Sequence, residues 1–236
     1  MSRTPVWKTI ASSLISDIAE GRYRHGDRLP TEVQLSATHG VNRHTVRRAL
    51  AELSEQGLVH ARRGAGVFVA ARPTDYPIGK RVRYHQNISA SGKIPGKQIL
   101  ALTTRAADAQ EAEALELKTG GPVHVYDGLS LADELPIAVF QSVFPEYRFP
   151  ELLSALENTR SVTRALQELG IADYTRKWTR LTARRASATQ ALHLRVAEGA
   201  PVMQSVGVNV DQDGHPVEFG RTWFAGDHVT LTFGDP

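Results

Sequence analysis

The order of apolar and polar positions at the start of the chain predicts three short helices. Apolar residues at helical spacing favour a first helix from about Pro5 to Glu20. Thr31 and Gln34 have the spacing of a capping box, so a second helix is predicted to begin there and to end at Gly40. Asn42 is a good N-cap for a third helix, whose apolar positions again recur at helical spacing.

Two short apolar runs follow the third helix. Residues 58–62 and 66–70 are each typical of a β-strand, and the tight turn Arg63–Ala65 lies between them. A hairpin with a basic, glycine-bearing tip can approach a nucleic-acid backbone closely. The first seventy or so residues are therefore predicted to form a winged helix-turn-helix domain.

The charge distribution fits a polyanion-binding domain but also a randomly basic surface, so the arrangement of the residues has to decide between them. Residues 1–72 contain eleven Lys and Arg against six Asp and Glu, whereas residues 73–236 contain seventeen against nineteen. The first turns of the third helix carry Arg43, Arg47 and Arg48. The alternative is that these arginines form only a solvated helix face. The adjoining wing and the capped helix-turn-helix favour DNA binding instead.

The second half of the chain repeats one pattern. Residues 105–140 and 185–219 each predict a helix, a strand, a hairpin turn and a strand, with proline pairs fourteen and fifteen residues apart. The segment 161–169 predicts a further amphipathic helix between them. Chance similarity is the alternative to a true repeat. Two such units sharing one antiparallel sheet would make the chain an α+β protein.

The domain boundaries follow from these patterns. We expect a winged helix-turn-helix at 1–72, a linker at 73–84 that is marked by prolines and a glycine, and an effector-binding and dimerisation domain at 85–236. The start of the chain has no apolar run long enough for a signal peptide or a membrane span, so a cytoplasmic protein without a membrane partner is predicted.

Composition argues against catalytic and metal sites. The chain has no cysteine, which excludes disulfides and thiolate ligands, and its histidines lack metal-ligand spacing. Glu218, Asp213 and His215 are the candidates for enzyme chemistry, but they form no recognisable nucleophile–base pair. We therefore predict no enzyme activity, no metal and no cofactor.

One continuous segment carries a family resemblance. It reads GDRLPTEVQLSATHGVNRHTVRRALAELSEQGLVHARRGAGVFVA and resembles the DNA-binding domain of GntR-type bacterial regulators. Some relatives have an arginine on the second helix where this chain has Val33, so that contact is not carried over. The residues expected to contact operator DNA are Thr31, Asn42, Arg43, His44, Thr45, Arg47, Arg48, Arg63, Gly64 and Gly66.

The rest of the chain, from about Tyr76 to Phe233, resembles the ligand-binding half of the HutC branch of that family, a fold similar to chorismate lyase. Stretches such as SVTRALQELGIADYTRKWTRLTARRA look like regulators of phosphonate use. Sugar-phosphate-sensing relatives carry an Arg-x-Arg pair where this chain has Gly128 and Ser130, so the charge of an anionic ligand must be met elsewhere. The expected effector-binding residues are Arg81, Arg83, Asn87, Ser161, Thr163, Arg176, Arg184, Glu218 and Phe224, with Arg164 as a further candidate cation.

The resemblance implies a ligand-responsive repressor that binds operator DNA as a homodimer, with a small phosphonate or other anionic effector. A HutC-type regulator that responds to an amino-acid or amino-sugar derivative is one alternative. A constitutive DNA-binding protein whose second domain only dimerises is another. For each arginine the alternative is a surface or structural ion pair.

Overall fold

The chain folds as two compact units, Met1–Arg72 and Pro73–Pro236. The structure, a computed structural model, describes residues 5–24, 26–62, 64–70, 73–81 and 83–234. Within these ranges every helix is too short or too polar to cross a lipid bilayer.

The first unit is the predicted winged helix-turn-helix. Its helices are α1 (Val6–Ala19), α2 (Glu32–His39) and α3 (Arg43–Glu55), and its wing is the antiparallel pair β1 (Val59–Arg62) and β2 (Gly66–Val69). The apolar stripes of the three helices meet with one residue from each strand in a single core. The most buried members of that core are Ile10, Leu14, Leu29, Leu35, Val46, Ala49, Leu53, Val59 and Val69.

Local capping fixes where the second and third helices begin. The Thr31 hydroxyl accepts a hydrogen bond from the Gln34 backbone N–H, and the Thr31 backbone N–H donates to the Gln34 side chain at 2.8 Å. Gly40 ends α2 with φ of 62°, in the left-handed region that glycine adopts without steric cost. Asn42 caps α3 by accepting from the Thr45 N–H at 2.9 Å. The predicted helix starts are confirmed.

The second unit is built on one six-stranded antiparallel sheet, and the predicted α+β class is confirmed. Its strands are β4 (Pro95–Ala106), β5 (Pro122–Ala132), β6 (Leu135–Pro145), β7 (Thr175–Arg185), β8 (Pro201–Val210) and β9 (Pro216–Ala225). The two repeats supply the hairpins β5–β6 and β8–β9, which join in the middle where β6 pairs with β9. Edge strands β4 and β7, which the repeat did not predict, complete the order β4-β5-β6-β9-β8-β7.

Helices cover both faces of this sheet. Neighbouring residues alternate between two cores: Tyr126 and Phe144 pack with helices of one layer, and Val125 and Val143 pack in the other. The helices are α4 (Tyr84–Ala90), α5 (Ala109–Ala114), α6 (Leu152–Thr159), α7 (Val162–Glu168) and α8 (Ala188–Leu194). Helices α6 and α7 contribute to the first core and α5 to the second.

The segment expected to be a linker is largely part of the second unit. Residues Thr74–Pro77 form strand β3, which pairs in parallel with β10 (Val229–Thr232) near the end of the chain. The Arg176 backbone N–H donates to Lys80 O at 2.8 Å, which ties the segment to β7 as well. Prolines and a glycine suggested a linker, but proline is tolerated at the end of a short edge strand, and the partner strand lies far away in sequence.

A buried ionic cluster fixes α5 to the sheet. Glu111 is 0% exposed and accepts hydrogen bonds from Arg105 Nη1 at 2.6 Å, Arg105 Nη2 at 2.8 Å and Arg221 Nη1 at 2.9 Å. The Asp108 backbone N–H donates to the same carboxylate at 3.0 Å. Burial by itself would raise the pKa of Glu111, but these donors outweigh burial and lower the pKa to about 2.

We predict that Glu111→Gln destabilises the protein. Removing the negative charge takes away the buried carboxylate that Arg105 and Arg221 share, and although Arg221 keeps its ion pair with Asp108, we expect a cost of about 3 kcal/mol of the free energy of unfolding. Because the folded pKa is depressed, this contribution is complete above the ordinary pKa of 4.5 and is lost as pH falls through about 2. Urea unfolding of the full chain at several pH values measures both effects.

The matched control is Glu113→Gln, a change of the same charge at an exposed position of α5. Its unfolding free energy should stay within about 0.5 kcal/mol of the wild type. Equal effects of the two substitutions would contradict a structural role for the buried carboxylate.

Candidate DNA-contacting helix and ligand cavity

Helix α3 presents the predicted basic face to solvent. Val46, Ala49 and Leu53 are fully buried, so the helix has one fixed inward side. Asn42, Arg43, His44, Arg47 and Arg48 are exposed, and Thr45 is half-buried. Side chains at the start of an exposed helix of this kind can reach base edges in a major groove.

Two of these arginines are held by an acidic residue on the preceding helix. Arg47 donates through Nε at 3.2 Å and Nη2 at 3.0 Å to the two oxygens of Glu32, and Arg43 Nη2 lies 3.4 Å from Glu32 Oε2. The hydrogen bond from Arg47 is the main cause that lowers the pKa of Glu32, and the same bond raises the pKa of Arg47. No pattern in the sequence pointed to this contact, because the residues lie on different helices.

Arg48 and Arg28 have neighbours that shape the rest of this surface. The Arg48 guanidinium lies 4.5 Å from the centre of the Trp7 ring, a cation–π contact. The Arg28 side chain crosses the wing at Gly66, where an added Cβ would lie 2.7 Å from Arg28 Nε. Gly66 also has φ of +115°, so a larger residue there would be strained as well. Arg28 is a cation at the wing that the sequence analysis missed.

The remaining residues that were predicted to contact DNA differ in exposure. Gly64 is exposed and has φ of 74°, while Gly66 is half-buried at the start of β2. Arg63 was expected to contact DNA and lies outside the described residues. Thr31 is exposed, with its side chain in the capping interaction at the start of α2.

The second unit contains a cavity of about 430 Å³ between the sheet, α4 and α7. That volume suits a small metabolite. The expected effector residues that line it are Arg83, Ser161, Thr163, Arg176, Glu218 and Phe224, and Arg164 also lines it.

Three expected effector residues lie outside the lining. Arg81 is exposed and pairs with Asp173 at 2.6 Å, and Asn87 donates to the Pro77 carbonyl at 3.1 Å. Arg184 donates to Gln204 Oε1 at 3.3 Å. It lies eight residues beyond Arg176 on the same strand, which is about 26 Å away. These three residues are close in sequence to residues that line the cavity, but their own side chains lie outside it.

Two arginines in the cavity have unused donors. Arg83 Nη2 donates to Asp173 Oδ1 at 2.6 Å and to the Tyr174 carbonyl at 2.9 Å, and its guanidinium stacks 3.9 Å from the centre of the Tyr174 ring. Arg83 Nη1 and Arg176 Nε are buried without a hydrogen-bond partner within the described part of the chain. The Arg176 guanidinium lies against Gly207, where an added Cβ would be 2.4 Å from Nη1.

Lys97 on β4 is a further cavity cation that the sequence analysis missed. Its Nζ donates to the Ser130 hydroxyl at 2.8 Å and lies 3.7 Å and 4.2 Å from the centres of the Phe140 and Tyr84 rings. Burial lowers the pKa of Lys97 to about 7, against a smaller opposing effect of Glu218. A lysine in this state changes charge near neutral pH.

Glu218 supplies a carboxylate to a cavity whose other charged side chains are basic among the described residues. It is only 9% exposed and accepts from Ser142 Oγ at 2.5 Å and from Asn209 Nδ2 at 2.6 Å. These neutral donors orient the carboxylate while leaving acceptor capacity towards the cavity.

The other residues considered for enzyme chemistry lie in a hairpin turn. Asp213 and His215 are exposed and do not line the cavity. Asp211, with which they cluster, is held by Arg148 at 2.7 Å and by the backbone N–H groups of Asp213 and His215. These contacts account for the cluster as turn structure.

Comparison with known proteins covers both units. Residues 7–69 match the family model of bacterial regulatory proteins, gntR family, and residues 90–230 match the UTRA domain. An uncharacterized HTH-type transcriptional regulator of Rhizobium meliloti is 36% identical over 96% of this chain and 93% of its own length.

A repressor named PhnF is matched both as a sequence and as a solved structure. The HTH-type transcriptional repressor PhnF of Mycolicibacterium smegmatis is 29% identical over 89% of this chain and 84% of its own length. The crystal structure of PhnF from Mycobacterium smegmatis matches with a TM-score of 0.65 and 26% identity, over 96% of this chain and 99% of that one. The similarity therefore extends through both units.

Proposed function

The chain belongs to the GntR family of bacterial regulatory proteins, as a transcription regulator with a UTRA domain and not an enzyme, and we propose that it is a repressor released from its operator by an anionic effector. The observation that carries the effector half is the lining of the cavity by Arg83 and Arg176, whose Nη1 and Nε atoms, respectively, are buried without a hydrogen-bond partner in the described part of the chain. A buried polar group without a partner is costly, so an anionic ligand towards which these guanidinium groups turn would relieve that cost.

The DNA half of the proposal rests on α3 and the wing. Arg43 and Arg47 can each present paired N–H groups to the O6 and N7 atoms of guanine. We expect His44, Thr45 and Arg48 to contact phosphates or to lie beside a base, which would orient the domain without specifying sequence. Gly64 and Gly66 allow close approach of the wing, and Arg28 adds a cation beside it.

The chemistry of the cavity favours a phosphonate or a phosphate ester. Arg83, Arg176, Lys97 and Arg164 supply cations, and guanidinium groups match the geometry of phosphonate oxygens. This choice agrees with the resemblance of the second unit to regulators of phosphonate use. It also meets the ligand charge without the arginine pair that is absent at Gly128 and Ser130.

One observation favours a different metabolite within the same scheme. The Glu218 carboxylate faces the cavity and suits a ligand that also carries a hydroxyl or an amino group. An amino-acid or amino-sugar derivative with an anionic group would use both features. Competition between simple alkylphosphonates and such derivatives for the full chain separates the two candidates.

The proposed switch requires two copies of the chain. Helix-turn-helix domains commonly pair to bind two half-sites of a near-palindromic operator, and a homodimer supplies that symmetry. The effector must bind the released state more tightly than the DNA-bound state, since a ligand with equal affinities shifts nothing. Phosphonates, phosphate esters and amino-sugar derivatives are therefore titrated against the full chain on a duplex that it selects from a random pool. Release by none of them would contradict the effector half and support a constitutive DNA-binding protein.

For DNA recognition, we predict that Arg43→Ala weakens binding to the selected duplex by about 1–3 kcal/mol and relaxes preference at one base pair. The reason is the loss of a forked contact to a guanine edge. Mobility-shift titrations on the selected duplex and its single-base variants measure both effects. Arg185→Ala, an exposed change of the same charge in the second unit, is the control. Equal losses on selected and random DNA would contradict base recognition by Arg43.

For the cavity, we predict how the affinity for ethylphosphonate depends on pH. As pH rises through about 7, the affinity of the wild type should fall relative to that of the Lys97→Arg variant. Lys97 loses its proton over that interval because burial lowers its pKa to about 7, whereas arginine stays charged. The affinity ratio of wild type to variant should fall by about tenfold, the value of one charged hydrogen bond. Calorimetry at several pH values measures the ratio. Protonation of the ligand itself affects both proteins equally and therefore cancels in this ratio. A ratio independent of pH would contradict a ligand contact by Lys97.

A further inference from the structure

Glu32 lies in the first turn of α2, but its carboxylate takes no part in the capping box there and contacts arginines of α3. Its carboxylate lies between Arg43 and Arg47, with both oxygens engaged by Arg47 at 3.0 and 3.2 Å and one of them 3.4 Å from Arg43 Nη2. The start of α2 is already fixed by the capping box of Thr31 and Gln34. The contacts of Glu32 therefore point to the arginines of α3.

Repulsion between two neighbouring arginines explains why a carboxylate is favourable at this point. Arg43 and Arg47 are four residues apart on α3, so they share one helix face and repel each other. Glu32 is more buried than either, with a side-chain exposure of 28% against 62% and 66%. It contacts Arg47 through the Nε–Nη2 edge, which fixes the plane of the guanidinium and leaves Nη1 free of this contact.

We propose that Glu32 is a specificity-determining residue of the DNA-binding surface, which orients Arg43 and Arg47 towards base edges and opposes their binding to phosphates. The inference rests on the proposed role of α3 in DNA recognition. Binding to random DNA depends on cations that neutralise phosphates, and a carboxylate beside two arginines reduces that attraction for any sequence. Base recognition depends on the orientation of the guanidinium groups, and Glu32 preserves it.

Loss of the carboxylate has one consequence that both kinds of DNA share and one that affects the selected duplex alone. Without the carboxylate, both arginines gain freedom to follow phosphates, so affinity for random DNA rises. The selected duplex gains the same electrostatic attraction but loses the fixed orientation of its base contacts. Glu32 therefore increases the ratio of selected to random affinity while it lowers affinity for random DNA.

The test compares Glu32→Gln with Glu55→Gln in the full chain. Glu55 is exposed at the other end of α3, twelve residues or about 18 Å from Arg43, so its substitution makes the same change in net charge away from the arginines. The probes are a duplex that the wild type enriches from a random pool and a scrambled duplex of equal length. Affinities are measured at several salt concentrations, and thermal unfolding checks that both variants are folded.

For Glu32→Gln we expect tighter binding to the scrambled duplex, with a salt dependence steeper by about one unit of slope, and a fall of about tenfold in the ratio of selected to scrambled affinity. Glu55→Gln should leave the ratio unchanged. With Arg47 already replaced by Ala, Glu32→Gln should change the ratio less, because one of the two guanidinium groups is then absent.

Two outcomes would overturn the inference and one would overturn its premise. If Glu32→Gln strengthens binding to both duplexes by the same factor, Glu32 contributes only charge. If it changes neither affinity, Glu32 does not act on recognition at all. A wild-type chain that enriches no duplex from the pool would instead refute operator binding itself, and the inference would fall with it.

Discussion

A charged side chain that leaves water needs a compensating partner, and this requirement organises both units of the protein. In the second unit Glu111 is fully buried because Arg105 and Arg221 enclose it, and that cluster holds α5 against the sheet. In the cavity the requirement is left partly unmet: Arg83 and Arg176 keep buried donors without partners in the described part of the chain. The rule is therefore satisfied on one side of the sheet and only partly satisfied on the other, where the proposed effector site lies.

On the DNA-binding surface, charged side chains are compensated although they remain exposed. Arg43 and Arg47 must be exposed to reach a nucleic acid, yet in the free protein Glu32 compensates them. Each unit therefore combines a rigid scaffold with cations whose neutralising partner can be replaced by another group. The capping box of α2, the Asn42 cap of α3 and a dense apolar core fix these two helices, and sheet register fixes the strands around the cavity. Rigid support of this kind lets exchangeable contacts select a ligand without loss of the fold.

The first unit could be predicted more completely than the second. Its sequence signals are local, whereas part of the second unit depends on contacts between residues far apart in the chain. The winged helix-turn-helix depends on caps at Thr31 and Asn42 and on helical spacing, all of which are local. The two hairpins of the sheet could also be predicted, since each closes within its own repeat. The parallel pair of β3 (Thr74–Pro77) and β10 (Val229–Thr232) could not, because its strands are separated by almost the whole second unit. The same limit made the segment before α4 look like a linker.

The sequence by itself determined the fold class, the family and the basic face of α3, because capping, periodicity and motif spacing are properties of neighbouring residues. Only the tertiary structure decided which cations line the cavity. Arg81 and Arg83 both pair with Asp173, but only Arg83 lines the cavity, and Lys97 reaches it through its pairing with Ser130 across β4 and β5. The contact of Glu32 with Arg43 and Arg47 likewise joins two helices. These arrangements depend on register and packing between distant segments, which no local pattern encodes.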